Sequence, residues 1–229
     1  MVFMMKTKDF SLRSSYFIGE NKHKWRLFLV IASLLIGIVL LPTTTVKADV
    51  VVQGTSLTDA EYADLVNRLP EGYEIVSNER YEALSRQRAV TGFFHKSHIQ
   101  NYGWSDTLNS KQYYAGTVGK SLRLEALQLT FANMKTSISY RSHVQSIGWQ
   151  SWGSNGATTG TTGQGLRMEA FQITTSGRFG VYYQGHMQGI GWGGWISSSE
   201  TTLFGSYIGT IGQSRRLEAV RFIIYEQMF

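Results

Sequence analysis

The sequence predicts an all-β fold: a three-fold pseudo-symmetric closed β domain preceded by a small α+β segment. Three observations carry that expectation. A composite pattern recurs three times, with His98, His143 and His186 spaced 45 and 43 residues apart and Glu125, Glu169 and Glu218 spaced 44 and 49 apart. Self-similarity at such a period marks a fold built from stacked or closed copies of one unit. The composition, 24 Gly, 12 Tyr and 12 Phe against 2 Pro, suits short strands joined by many turns. Finally, three short β units in a line would leave raw strand edges at both ends, whereas closure hides them. A β-prism, with three sheets about a pseudo-three-fold axis, and a β-trefoil both satisfy this; the prism is preferred.

Charge narrows the function classes. The formal net charge is +6, but residues 1–48 hold seven Lys or Arg against two acids, and residues 49–229 hold 15 against 14. The larger part is close to neutral and has little electrostatic pull on phosphate backbones, so nucleic acid is not an expected partner. No Cys is present, which excludes disulfides and thiol chemistry.

Taken in order, residues 1–48 have the organisation of a signal peptide. A basic stretch ends at Arg26, an uncharged apolar run extends from Leu27 to Leu41, and V-K-A precedes Asp49. The expected cut falls between Ala48 and Asp49. Left uncleaved, the run would serve as a membrane anchor, although it is short of the roughly 20 apolar residues a spanning helix needs. A secreted or cell-surface-associated protein is therefore expected. Residues 49–90 read as a small helix-strand-helix segment. Thr58, Asp59 and Glu61 open a helix that Pro70 and Gly72 end, Tyr73–Val76 form a strand, and Ser77 or Asn78 caps a second helix running to Arg88. The acids Asp59, Glu61 and Asp64 suit a helix N-terminus better than a calcium site.

Residues 91–229 hold the repeats, at about 92–131, 137–175 and 180–225. In Ser137–Gln145, Ile138, Tyr140 and Val144 alternate with Arg141, His143 and Gln145, the period of a half-buried strand. Asn155-Gly156 signals a tight turn. The R-L-E-A stretch is ambiguous in the first copy, but Val220, Phe222, Ile223, Ile224 and Tyr225 make it a strand in the third, and one unit should keep one conformation. In the middle copy the apolar phase switches between Ala170 and Phe171, which suggests a β-bulge or a strand covered on both faces.

Each copy contains, in order, His-x-Gln-x-x-Gly-Trp (His98–Trp104, His143–Trp149, His186–Trp192), a G-T-x-G turn (116–119, 160–163, 209–212) and an Arg-x-Glu-Ala segment (Arg123/Glu125, Arg167/Glu169, Arg216/Glu218). This resembles the clostridial hydrophobic repeat with a conserved tryptophan, ChW. The resemblance implies an extracellular surface-interaction module of three such repeats, and the long basic leader separately resembles those of Gram-positive surface and secreted proteins.

Candidate site residues follow from the pattern. The Gly-Trp residues Trp104, Trp149 and Trp192 recur in every copy and are expected in the core. The second tryptophan, Trp152 or Trp195, becomes Thr107 in the first copy, so it is the candidate for stacking on a sugar ring, with Tyr113 and Tyr114 beside Lys111 as further candidates. His98, His143 and His186 could meet a metal on the axis, but bonding within each repeat is the favoured reading, and no metal or cofactor is expected. In each copy the Arg beside the Glu marks a structural carboxylate rather than a glycosidase acid. No nucleophile elbow, P-loop, zincin or dinucleotide motif occurs. The expected function is non-catalytic binding of a glycan or cell-wall polymer through exposed aromatics, with adhesion to a surface protein as the alternative and a hydrolase a distant third. The first copy is expected to hold the weakest or most divergent site, and the loop from Trp195 to Gly209, with Ser197 to Thr202 polar, to be where function differs between copies.

Overall fold

A computed structural model describes residues 51–52, 55–87, 92–110, 113–199 and 206–228. The leader with its cleavage point, Lys111, and residues 200–205 of the third-copy loop lie outside the described residues. The chain divides into two units, 1–46 and 47–229, and the description below concerns the second.

The pre-segment forms as its sequence suggests. After a two-stranded pair, β1 (Val51–Val52) and β2 (Thr55–Ser56), Thr58 caps helix α1 (Asp59–Asn67). The Thr58 hydroxyl accepts from the Glu61 N–H and the Glu61 carboxylate accepts from the Thr58 N–H, a reciprocal capping box. Strand β3 (Tyr73–Ile75) and helix α2 (Asn78–Gln87) follow.

Each repeat is a long antiparallel hairpin: β4 (Gly92–Ile99) with β8 (Leu124–Ala132), β9 (Thr136–Val144) with β13 (Met168–Gly177), and β14 (Phe179–Met187) with β18 (Leu217–Gln227). Pairs of two-residue strands fold back on the first strand of each hairpin: β5 (Gly103–Trp104) and β6 (Leu108–Asn109), β10 (Gly148–Trp149) and β11 (Gly153–Ser154), β15 (Gly191–Trp192) and β16 (Ile196–Ser197). The R-L-E-A segments are strands in all three copies. The phase switch is a bulge. In each hairpin the register slips by one residue at the glutamate: Ile99 faces Leu124 and His98 faces Ala126, leaving Glu125 unpaired, and Glu169 and Glu218 stand in the same place.

Closure comes from strand exchange. The G-T-x-G glycine ends a two-residue strand in each copy: β7 (Ala115–Gly116), β12 (Thr159–Gly160) and β17 (Ile208–Gly209). None pairs within its own repeat. β7 pairs with β18 of the third copy, β17 with β13 of the second and β12 with β8 of the first. The three donations use one register, glycine opposite the alanine of R-L-E-A, and they close a cycle. The domain is thus three separate sheets, each completed by a neighbour, which is the prism arrangement. β3 extends the third sheet along β18. The interior is filled from all three copies, by Phe93, Leu127 and Leu129, by Tyr140, Phe171 and Ile173, and by Tyr183, Val220 and Phe222.

The glycine of that crossing is obligatory. Gly116, Gly160 and Gly209 have φ of +103, +94 and +102°, and a Cβ on any of them would lie 2.2 Å from the carbonyl oxygen of Glu218, Glu125 or Glu169 respectively. The same carbonyls accept from the N–H of the following threonine, Thr117, Thr161 or Thr210. The bulge that frees the glutamate carbonyl and the glycine that reaches it are two halves of one joint.

Candidate functional site: three stacked indole and cation platforms

The glutamate side chain organises each repeat. Its Oε1 takes the adjacent arginine, with Nη2 of Arg123, Arg167 and Arg216 at 2.6, 2.8 and 2.7 Å. Its Oε2 lies 2.9, 3.2 and 3.1 Å from Nδ1 of His98, His143 and His186. That approach is too oblique for a directed hydrogen bond, so it is a charge contact whose strength depends on protonation of the imidazole. Each histidine meets the glutamate of its own repeat, and no cluster of three or more metal-ligating side chains occurs among the described residues. The imidazole edge meets the Gly-Trp indole at 5.4, 5.5 and 5.3 Å between ring centroids, for Trp104, Trp149 and Trp192.

Those indoles are not core, contrary to expectation. Trp104 is 37 % exposed, and Trp149 and Trp192 are half-buried. The reason lies in the fold-back strands β5, β10 and β15, which place the indole over the polar outer face of the hairpin, beside the histidine. Their partner there is a cation. In the second repeat the Arg141 guanidinium stands 4.8 Å from the Trp149 ring centre and 4.7 Å from that of Trp152. In the third, Arg221 stands 4.6 Å from Trp192 and 4.9 Å from Trp195. In the first, Lys96 stands 5.8 Å from Trp104, and Thr107 occupies the place of the second indole.

Sequence reasoning missed these cations, because they change strand. Arg141 is on the first strand of its hairpin and bonds Gln172 opposite it, with Nε donating to Oε1 at 2.7 Å. In the third repeat the arginine is on the second strand, Arg221, and its Nε donates to Gln184 opposite. In the first, Lys96 faces Gln128. The signal was a basic residue and a glutamine at a cross-strand pair in every copy, readable only once the register is known.

The platforms differ in access. Trp152 is 43 % exposed. Trp195, a candidate for ligand stacking, is 7 % exposed and does not offer a free face. Helix α1 closes its platform. Arg68 donates to the Trp195 carbonyl at 3.0 Å, the Tyr182 hydroxyl donates to the Leu65 carbonyl at 2.9 Å, and Glu61 stands 3.9 Å from Arg221. Leu65 packs there with Tyr182, Trp195, Ile223 and Tyr225. The aligned positions in the second repeat are Ser139, Thr174 and Ser176 for Tyr182, Ile223 and Tyr225, so nothing apolar draws a helix onto that face. Tyr113 is exposed, and Tyr114 is half-buried edge-on to Trp192, 6.3 Å away. They therefore serve two different places rather than one loop site.

A three-fold ring of hairpins with exchanged strands, each carrying an indole and cation stack on its outer face beside a buried glutamate held by its arginine, defines a closed β repeat protein. The family is that of the clostridial hydrophobic W: its model matches residues 98–133, 143–177 and 186–224, and the chain is a protein of three ChW repeats. No curated protein and no solved structure matched the chain.

Proposed function

We propose that this chain is a non-catalytic recognition module, displayed outside the cell, whose open site is the Trp149–Arg141–Trp152 platform of the second repeat and whose ligand is a glycan of the cell wall or cell surface. One observation carries the reading: Trp152 is the exposed member of its indole and cation stack, on a face of hydroxyl side chains, while the same stack in the third repeat is sealed. An indole face covers the C–H face of a pyranose, and an arginine held by Gln172 offers N–H donors to the ring hydroxyls beside it. The polar surroundings, Ser139, Thr174 and Ser176, suit a polyhydroxylated ligand better than an apolar helix.

The carboxylates argue for binding without turnover. Glycoside cleavage uses two carboxyl groups facing one bond, whereas the glutamate at each bulge is engaged by its own arginine and histidine. Export rests on the order of basic stretch, apolar run and small residues in positions 1–48. Adhesion to a protein is the second reading, favoured by the exposed apolar turn residues Tyr102, Ile147 and Ile190, which occupy the same place in every copy.

The test is a titration of the protein from Asp49 onward with purified cell-wall polysaccharide and a glycan array, followed by tryptophan fluorescence. Saturable quenching that is lost in Trp152→Ala, with the melting transition kept, is the expected result. Silence toward every glycan, with capture of a defined surface protein through Ile147 and Ile190, would replace this reading with adhesion. Release of sugar products would overturn the non-catalytic part.

A further inference from the structure

The second-repeat platform does not end at its own repeat. Tyr207 immediately precedes β17, the strand that the third repeat donates to β13. Its ring meets Trp149 at 5.6 Å with planes at 70°, and it is 38 % exposed. Contacts therefore run unbroken from Trp152 through Arg141 and Trp149 to Tyr207. A buried amide fixes this row. Gln172 accepts from Arg141 through Oε1 and donates through Nε2 to the Ser206 carbonyl at 3.2 Å, tying the cation to the backbone beside Tyr207.

The other two platforms show that the donated residue varies independently. At the same offset before the crossing strand, the first repeat supplies Tyr114 to the covered Trp192 platform, and the second supplies Thr158 to the Lys96 platform, where its hydroxyl accepts from Gln128 at 2.8 Å. Only the second repeat's platform combines two indoles, a donated tyrosine and open access.

Resting on the glycan reading, we infer that this is a composite site shared between two repeats, and that it takes an internal stretch of a linear glycan, with one sugar on Trp152 and another on Tyr207 at the same time. Tyr207 acts as a specificity-determining residue that reads ligand length. A terminal sugar uses one end of the row; an extended chain uses both. Recognition by the second repeat then depends on the third, because the crossing strand delivers Tyr207.

The experiment measures affinities of wild type, Tyr207→Ala, Tyr207→Phe and Trp152→Ala for a ladder of oligosaccharides, from one sugar upward, cut from a polysaccharide that wild type binds. Wild type should gain affinity with length. Tyr207→Ala should lose about tenfold on the longer members and nothing on the shortest that bind at Trp152. Tyr207→Phe, which keeps the ring, should behave as wild type. Equal affinities of wild type and Tyr207→Ala at every length, or an equal loss at every length, would overturn the composite site and leave the glycan reading standing. Absence of binding by wild type to any glycan defeats the reading itself, a different outcome. Thermal melts of each variant separate loss of contact from loss of fold.

Discussion

At the scale of single residues, the repeat motif is a set of contacts rather than a set of surfaces. The joint between bulged glutamate and crossing glycine makes a sharp prediction, because neighbouring glycines in one turn have different reasons to exist. Gly160→Ala places a Cβ 2.2 Å from the Glu125 carbonyl at a φ of +94°, and both faults act together. Gly163 has a φ of +70° and open space around its Cβ position, so only the backbone preference is lost. Denaturant unfolding should show a cost of ~3 kcal/mol or more for Gly160→Ala and ~1 kcal/mol for Gly163→Ala. Equal costs would mean that the crossing is looser than described.

A second residue effect concerns acid. His95 aligns with Tyr140 and Tyr183 and is buried, with Nδ1 3.1 Å from the Ser110 hydroxyl and its ring beside Phe222. Burial pushes its pKa down to about 4, partly offset by the Tyr114 backbone. The unfolded chain takes up this proton near 6.5, so the unfolded state binds more protons between those values. Stability is therefore full at neutral pH and falls as the pH drops from about 6.5 to about 4, by roughly 3 kcal/mol at most. His95→Tyr, which supplies the side chain of the other two copies, should flatten that branch of the stability curve. An unchanged slope would place the titration elsewhere. Glu226 adds a separate, more acidic loss. Burial raises its pKa, but Arg80 and Arg178 outweigh that and hold it below the usual carboxylate range, so its contribution disappears as the pH falls through the lowered value.

At the scale of elements, α1 decides how many platforms are open. It is a short helix whose start is fixed by the Thr58 capping box and whose docking depends on Leu65. Leu65→Ala should cost about 2–5 kcal/mol of docking, and Thr58→Ala about 1 kcal/mol of helix stability. Acrylamide quenching in the ligand-free protein should then reach Trp195, which wild type shields. If the indole and cation stack suffices for binding, the exposed third platform adds a second ligand equivalent in Leu65→Ala. Stoichiometry that stays at one while Trp195 becomes accessible would show that the hydroxyl face of the second repeat is also required. The first repeat, with Lys96 and Thr107, should contribute no comparable site.

At the scale of the molecule, the exchanged strands make the ring cooperative. Every sheet lacks an edge strand until its neighbour is folded, and β3 extends the third sheet by pairing with β18, while Arg80 of α2 holds Glu226 of that strand at 2.6 Å. Residues 49–229 should unfold in one transition, with calorimetric and van't Hoff enthalpies equal. A chain ending after the second repeat should lose not only its third sheet but also the strand that completes the second, together with Tyr207. It should fail to show a cooperative melt. Three separable transitions would refute the exchange as the source of stability, since independent repeats would then suffice.

Much of this was open to a reader of the sequence. Period and motif order determine that there are three copies. Alternation at Ile138, Tyr140 and Val144, the β-favouring run at Val220–Tyr225 and the broken phase after Ala170 determine strands with a bulge, and Thr58 with Glu61 determines the start of α1. These are local properties, because the side-chain pattern of a strand or a cap is set within a few residues. The tertiary structure alone decided which edge each crossing strand completes, that an arginine and a glutamine trade strands, and that Trp152 faces solvent while its counterpart Trp195 does not. The physical reason is that pairing partners and exposure belong to whatever packs from far along the chain. Trp152 and Trp195 occupy the same place in a Gly-Trp-x-x-Trp segment, yet only Trp195 lies beneath a helix about 130 residues away.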